Sequence, residues 1–196
     1  MSKKLNIIKT DKPFWFFTDQ ADEDYISARL LSCCGNTLWH VAAYHSHQAV
    51  EKYIKSYLVQ EKKEYPDTHN LKAIGKLAEE LNAIFKEEKT KQQLELFDQF
   101  EQVSRYGGFA KYDPSSVRTQ NYTIVGGFAW TDSNIRQLDE LVFNIRGLLD
   151  FSSKPTLDNL KSVLNEDSKI GFVSDWKLPT LSIKQVLTQD NQYFKR

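Results

Sequence analysis

Cysteine is scarce in this sequence: only Cys33 and Cys34 occur among 196 residues, and they are adjacent. Neighbouring cysteines rarely form a disulfide, because the geometry of the bridge strains the peptide between them. A chain without disulfides suits a reducing compartment. We therefore expect the protein to be cytoplasmic.

Long apolar runs are absent as well. No stretch of the sequence approaches the roughly eighteen apolar residues that a membrane-spanning helix needs. The first residues, MSKKLNIIKTDKPFWFF, begin with basic side chains, but Lys9, Asp11 and Lys12 interrupt the apolar positions, so they lack the core of a signal peptide. The sequence predicts a soluble protein with no membrane partner.

An excess of charge of either sign is also missing, since 26 basic and 26 acidic side chains cancel. Generic binders of nucleic acids or anionic membranes use a net positive charge to attract their ligand over a distance. Any site for a polyanion in this chain must therefore be local.

Apolar and aromatic residues, in contrast, are plentiful. They make up 40% and 13% of the chain, with twelve Phe, nine Tyr and four Trp. This supply is enough for a packed core and excludes disorder of the whole chain. A length of 196 residues suits one domain with an appended segment.

Five segments show the three- and four-residue spacing of apolar side chains that is typical of amphipathic helices. The predicted helices begin at Thr18 or Asp19, at Leu38, at Asp67 or Thr68, at Thr90 with Gln93 completing a capping box, and at Asp132 or Ser133. The first, second and fourth are predicted to end near Gly35, Gln60 and Gly107. Helices two and five have the widest apolar faces, so we expect them to lie together in the core.

The helical pattern becomes irregular in two places. Residues 105–132 contain the near-repeat GGFAKYD and GGFAWTD, in which each Gly-Gly pair either bounds a helix or belongs to a functional loop. After Phe151 only short helical patterns remain, at 156–164 and 180–187. We predict an all-α fold: an antiparallel up-and-down bundle of four to five helices (1–151) with a short-helix C-terminal appendage (152–196) that packs on the bundle or on a partner.

The second helix carries polar residues on an otherwise apolar face. His40, His47 and Glu51 are separated by seven and four residues and lie on roughly one side. They lack the tight HExxH spacing of a helical zinc site, so we expect a structural or solvated role and no metal.

Gln48, Glu51 and Lys52 form a second polar set on and beside that face, with Lys55 one turn further on. Charged groups rarely occupy such a face without partners. One explanation is a boundary of the core at which Glu51 and Lys55 pair with i,i+4 spacing. The other is a ligand site, for which Gln48, Glu51 and Lys52 are the candidate residues.

Three sequence elements resemble the HEPN domain of prokaryotes: the run HQAVEKYIKSYL, the later PDTHNL, and a helix that ends in SRY at 104–106. The resemblance covers about residues 15–150. It implies a bundle of four or five helices that dimerises, with a function linked to nucleotides or RNA. Some members are ribonucleases of toxin and defence systems, and others accompany small nucleotidyltransferases.

Ribonuclease members of this family share an Arg that is followed, after four to six residues, by a His. Here Arg105 matches the Arg, but Ala110, Lys111 and Tyr112 stand where the His is expected. Lys111 can hold a phosphate but is a poor base at neutral pH. We therefore assign no catalytic residue, and we assign no metal or cofactor.

Arg105, Tyr106 and Lys111 form a predicted phosphate or base site, next to two glycines that let a ligand approach the backbone. Arg offers a planar fork for phosphate, Tyr106 a ring for stacking, and Lys111 a further charge. The alternative is that Arg105 only caps the C-terminal carbonyls of its helix. His69 in PDTHNL either touches a ligand near a helix start or orders the turn.

We therefore expect a non-catalytic nucleotide- or RNA-binding homodimer that belongs to a toxin–antitoxin pair or accompanies a small nucleotidyltransferase. Two alternatives stay open. One is a metal-independent ribonuclease that combines Arg105 with a His from elsewhere, such as His47. The other is a structural interaction protein whose bundle and tail bind another chain.

Overall fold

The computed structural model of the chain describes residues 5–33, 38–105, 131–153 and 183–193. Its helices are α1 (Trp15–Ser32), α2 (Trp39–Lys62), α3 (Leu71–Ala78), α4 (Glu88–Arg105), α5 (Asp132–Arg146) and α6 (Ile183–Thr188). Two short strands, β1 (Ile7–Lys9) and β2 (Glu64–Pro66), form an antiparallel pair. Short 3-10 helices occupy Ala83–Lys86 and Phe151–Ser153. The predicted all-α class is confirmed, because these elements form a helical bundle with only a minor strand pair.

α2 is the central helix and contacts α1, α3, α4 and α5. Fifteen of its 24 residues are buried, which requires neighbours on several sides. α2 and α4 run antiparallel: His47 in the first half of α2 bonds to Phe97 in the second half of α4, whereas Tyr57 near the end of α2 stacks on Phe85 just before α4. The expected contact between the second and fifth helices is present between α2 and α5.

Aromatic side chains fill much of the core. Among the described residues, the aromatic side chains with less than 2% exposure are Tyr25, Tyr53, Phe85, Phe97 and Phe100. Each such burial stabilises the fold by roughly 2 to 3 kcal/mol relative to an exposed side chain. The two tyrosines also need polar partners, and their hydroxyls donate to Asp139 and Asp22 respectively.

α1 begins earlier than the sequence predicts, at Trp15 rather than after Thr18 or Asp19. Thr18 is fully buried, and its hydroxyl lies 3.3 Å from the carbonyl oxygen of Phe14 and 2.6 Å from Ser56 Oγ on α2. The Thr18 side chain therefore joins α1 to α2 and does not cap the helix.

α3 begins later than predicted, at Leu71. Asn70, rather than Asp67 or Thr68, caps the helix, because its side-chain oxygen accepts a hydrogen bond from Ala73 N at 2.7 Å. The predicted capping residues instead lie in the turn that precedes the helix.

The capping box predicted for α4 is wrong. α4 begins at Glu88, two residues before Thr90, and both Thr90 and Gln93 are buried within the helix. Gln93 Nε2 donates to Glu140 on α5 at 3.1 Å, so this side chain joins α4 to α5 and does not cap α4.

The remaining boundaries agree closely with the sequence patterns. α5 begins at Asp132 as predicted, and α2 ends at Lys62, two residues beyond Gln60. The sequence does not predict the strand pair, in which Ile8 lies opposite Tyr65, because three-residue strands are too short to show alternation. Apart from Thr131 and Asp132 at its end, the near-repeat lies outside the described residues, as does the helical pattern at 156–164.

The C-terminal residues 183–193 pack on α1. Val186 and Asn191 have no exposed surface, and the buried Arg29 of α1 donates from Nε to the carbonyl oxygen of Val186 at 2.8 Å. Another Arg29 nitrogen lies 2.5 Å from Asp139 on α5. These residues of the predicted appendage therefore contribute to the core. None of the described helices has the length and apolar character needed to span a membrane.

Candidate ligand-binding site

Glu51 is the centre of a buried polar cluster on α2. Its carboxylate is only 5% exposed and lies 2.8 Å from Lys55 Nζ, 3.0 Å from His69 Nδ1 and 3.4 Å from His47 Nε2. The i,i+4 spacing places His47 and Lys55 on either side of Glu51 along the helix, whereas the turn before α3 supplies His69.

These contacts decide the charge of Glu51. Burial alone would raise the pKa of the carboxyl group. The contact with His47, the hydrogen bond and charge of Lys55, and the hydrogen bond from His69 outweigh burial and lower the pKa to about 2. Glu51 is therefore ionised at neutral pH, and the neighbouring Lys55 ammonium balances its charge.

His47 has no exposed surface. Its Nδ1 lies 3.0 Å from the carbonyl oxygen of Phe97, which can only accept, so Nδ1 is the donor of that hydrogen bond. Its Nε2 is 3.4 Å from Glu51, but this buried nitrogen has no hydrogen-bond partner by geometry among the described residues. Both ring edges are thus occupied by the protein interior. This geometry does not favour His47 as the base of a ribonuclease. Within the described ranges, no group of His, Cys, Asp and Glu side chains is arranged to hold a metal.

The PDTHNL turn forms hydrogen bonds to two helices, α2 and α4. His69 binds Glu51 on α2, and Asp98 on α4 accepts hydrogen bonds from Leu71 N at 2.6 Å and Asn70 Nδ2 at 3.2 Å. Burial raises the pKa of Asp98. Asn70 also caps α3, so the backbone on both sides of His69 is fixed before any ligand binds.

The other predicted residues of α2, Gln48 and Lys52, form no hydrogen bond or ion pair with this turn. Lys52 Nζ is 2.5 Å from Asp24 on α1, and Asp24 also binds His45 Nδ1 at 2.8 Å. Gln48 is 8% exposed, and its side-chain nitrogen is buried without a hydrogen-bond partner. The structure thus brings Glu51 and His69 into contact, but it directs Lys52 to a separate cluster.

Arg105 is the last residue of α4 that the structure describes. It follows Asp98 by seven residues, which is about 10 Å along the helix axis and about 20° short of two full turns. Position 105 therefore lies on the side of α4 that holds the PDTHNL turn. Tyr106 and Lys111 lie outside the described residues.

Sequence reasoning missed two carboxylates that organise this region, Asp24 and Asp98. The sequence pattern places Asp24 near the start of a helix, where acids are favoured, but α1 begins at Trp15 and Asp24 lies in its middle. Asp98 belongs to no sequence motif. Their roles depend on partners 28 and 27 residues away in sequence, Lys52 and Leu71, so no local signal identifies them.

Comparison with known proteins connects this geometry to a family. The profile of the HEPN domain matches residues 14–123, more than half of the chain, including HQAVEKYIKSYL, PDTHNL and SRY. Comparisons with curated proteins and with solved structures gave no significant match. A HEPN domain supports a function related in general to nucleotides or RNA. The chain belongs to the HEPN domain family.

Proposed function

We propose that this protein is a non-catalytic HEPN-type protein that binds a nucleotide or RNA through the surface between Arg105 and the PDTHNL turn. The supporting observation is the double role of α4: Asp98 holds the turn, and Arg105 follows two turns later on the same side. Arg105 thus lies about 10 Å along α4 from the carboxylate that holds the PDTHNL turn. The guanidinium group of Arg suits a phosphate, which it can bind with two parallel hydrogen bonds.

Binding without cleavage follows from the histidines. The family's ribonuclease pattern needs a His that is separated from Arg105 by four to six residues, but Ala, Lys and Tyr occupy positions 110–112. A general base must reach the proton that it removes, and the buried ring of His47 cannot reach a ligand on the surface.

The protein is further proposed to act as a homodimer and to pair with another component, either an antitoxin or a small nucleotidyltransferase. Family membership supports both ideas. The exposed aromatic rings of Phe16 and Phe143, 39% and 46% exposed, offer apolar surface for association. Light scattering at high micromolar concentration tests the dimer, and a monomer there would contradict it.

Arg105→Lys tests the binding site. Lys keeps the charge near the helix end but loses the planar fork, so binding of nucleotides or short RNA should weaken by about 1 to 3 kcal/mol in calorimetric titrations. Thermal unfolding should hardly change. Arg136→Lys, at an exposed position of α5, is the matched control and should bind like the parent.

Two results would count against the proposal. If the parent protein binds neither nucleotides nor RNA, the proposed function is wrong. If the parent binds but Arg105→Lys binds equally well, the site does not include the Arg105 fork, and Arg105 then serves only as a helix cap.

A further inference from the structure

The Glu51 carboxylate determines which nitrogen of His69 carries a proton. His69 Nδ1 lies 3.1 Å and 3.0 Å from the two oxygens of Glu51. An ionised carboxylate only accepts hydrogen bonds, so Nδ1 must be the donor. In the neutral imidazole ring the lone pair is then on Nε2, which becomes a hydrogen-bond acceptor with a fixed identity.

This acceptor is accessible, although the carboxylate that orients it is not. The His69 side chain is 52% exposed, whereas that of Glu51 is 5% exposed. Nδ1 and Nε2 lie on different edges of the ring, so the edge that carries Nε2 is turned away from the buried oxygens. Among the described residues, none hydrogen-bonds to Nε2.

The turn around His69 is rigid enough to present that nitrogen in one place. Thr68 Oγ1 accepts a hydrogen bond from Asn70 N, Asn70 caps α3, and Asp98 holds Asn70 from α4. A site that is ordered before binding loses less conformational entropy when its ligand arrives. The Glu51–His69 pair therefore holds a hydrogen-bond acceptor, His69 Nε2, in a defined position.

The charged groups near His69 favour a neutral hydrogen-bond donor as the ligand of Nε2. Lys55 is paired with Glu51, and Lys72 is paired with Glu95 at 2.5 Å. Asp98 adds a carboxyl group on the other side of the turn. A phosphate would meet acceptors here, whereas a hydroxyl group can donate to the lone pair of Nε2.

We infer that the Glu51–His69 pair accepts a hydrogen bond from a ribose 2′-hydroxyl, so the protein discriminates ribonucleotides from deoxyribonucleotides. The inference rests on the proposed function, because Arg105, about 10 Å further along α4, would hold a phosphate of the same ligand. The 2′-hydroxyl is the group by which a protein distinguishes RNA from DNA at a given site. The contact is one of binding and involves no chemical step.

His69→Asn separates this role from a purely structural one. The Asn side-chain nitrogen can take the place of Nδ1 and donate to Glu51, but Asn has no group at the position of Nε2. His45→Asn is the matched control, since His45 also binds a carboxylate, Asp24, through Nδ1. His69→Gln is the reverse change, because its amide oxygen can replace the acceptor.

The experiment is calorimetric titration of the full chain with an oligoribonucleotide and the oligodeoxyribonucleotide of the same sequence, and with ATP and dATP. The parent and His45→Asn should prefer the ribose form by about two- to tenfold, the value of one hydrogen bond. His69→Asn should bind both forms equally, and His69→Gln should keep part of the preference. A preference with the oligonucleotides, with ATP, or with both shows which ligand supplies the hydroxyl.

Equal binding of ribose and deoxyribose ligands by the parent would overturn this inference and leave the proposed function intact. A preference that persists in His69→Asn would also overturn it. Absence of binding to every ligand would instead remove the proposed function and the inference together. Thermal unfolding of each variant verifies that His69→Asn is folded, and His69→Gln provides the second test if it is not.

Discussion

Replacement of Glu51 by Gln tests the energetic reasoning behind the buried cluster. The pKa of Glu51 is lowered from its usual 4.5 to about 2, because hydrogen bonds and the charge of Lys55 outweigh the cost of burial. At about 1.36 kcal/mol for each pKa unit, this difference corresponds to roughly 3 kcal/mol of folding free energy at neutral pH. Gln cannot provide that charge, and it leaves Lys55, 9% exposed, without its partner.

The expected result for Glu51→Gln depends on pH with a definite sign. A carboxyl group whose pKa is lower in the folded state stabilises the fold above its unfolded-state pKa, and this contribution disappears as the pH falls towards about 2. The parent should therefore exceed the variant in free energy of unfolding by roughly 3 kcal/mol at about pH 7. Near pH 3 the difference should be less than half as large.

Urea unfolding followed by circular dichroism at both pH values measures this difference. Glu95→Gln is the matched control, because Glu95 also binds a lysine, Lys72, but both side chains are 53% exposed. Such a surface pair contributes about 0 to 1 kcal/mol. A loss below about 1 kcal/mol for Glu51→Gln, or an equal loss at both pH values, would refute the reasoning.

Two further predictions concern the buried ion pair of α1 and the absence of catalysis. Arg29→Met should lower the free energy of unfolding by about 3 to 5 kcal/mol, because it leaves the buried Asp139 without its cationic partner. Urea unfolding measures this loss, and a double variant that also carries Asp139→Leu should recover part of it. Purified protein should cleave neither structured nor single-stranded RNA above background in single-turnover assays. Cleavage that disappears in Arg105→Ala would show that the missing His is not required.

Much of the bundle is predictable because apolar spacing reports burial directly. Tyr53, Ile54 and Leu58 follow the helical period of α2 and are buried. Helix starts are less predictable, because a hydroxyl or amide can either cap or pack. Thr18 and Gln93 are good capping residues by type, yet both are used between helices.

The candidate site is predictable only where local sequence fixes the geometry. Glu51 and Lys55 pair through i,i+4 spacing, which the sequence displays. The contact between Glu51 and His69, 18 residues apart, depends on how β2 and the PDTHNL turn bring the chain back to α2. Lys52 lies on or beside the same helix face as Glu51 in the sequence pattern. Adjacent helical residues nevertheless point about 100° apart, and Lys52 binds Asp24 on α1.

The side chain of Arg29 determines where the described C-terminal residues pack, which their own sequence does not predict. The apolar spacing at 180–187 is compatible with packing on the bundle or on a partner, since it shows only that one face is buried. Arg29 resolves this for the described residues: its guanidinium binds Asp139, the carbonyl oxygen of Val186 at 2.8 Å and that of Gln189. A buried guanidinium must satisfy its donors, so the main chain of the C-terminal segment completes the Arg29–Asp139 pair. Because carbonyl oxygens carry no sequence signature, this contact could not be read from the residues at 183–193.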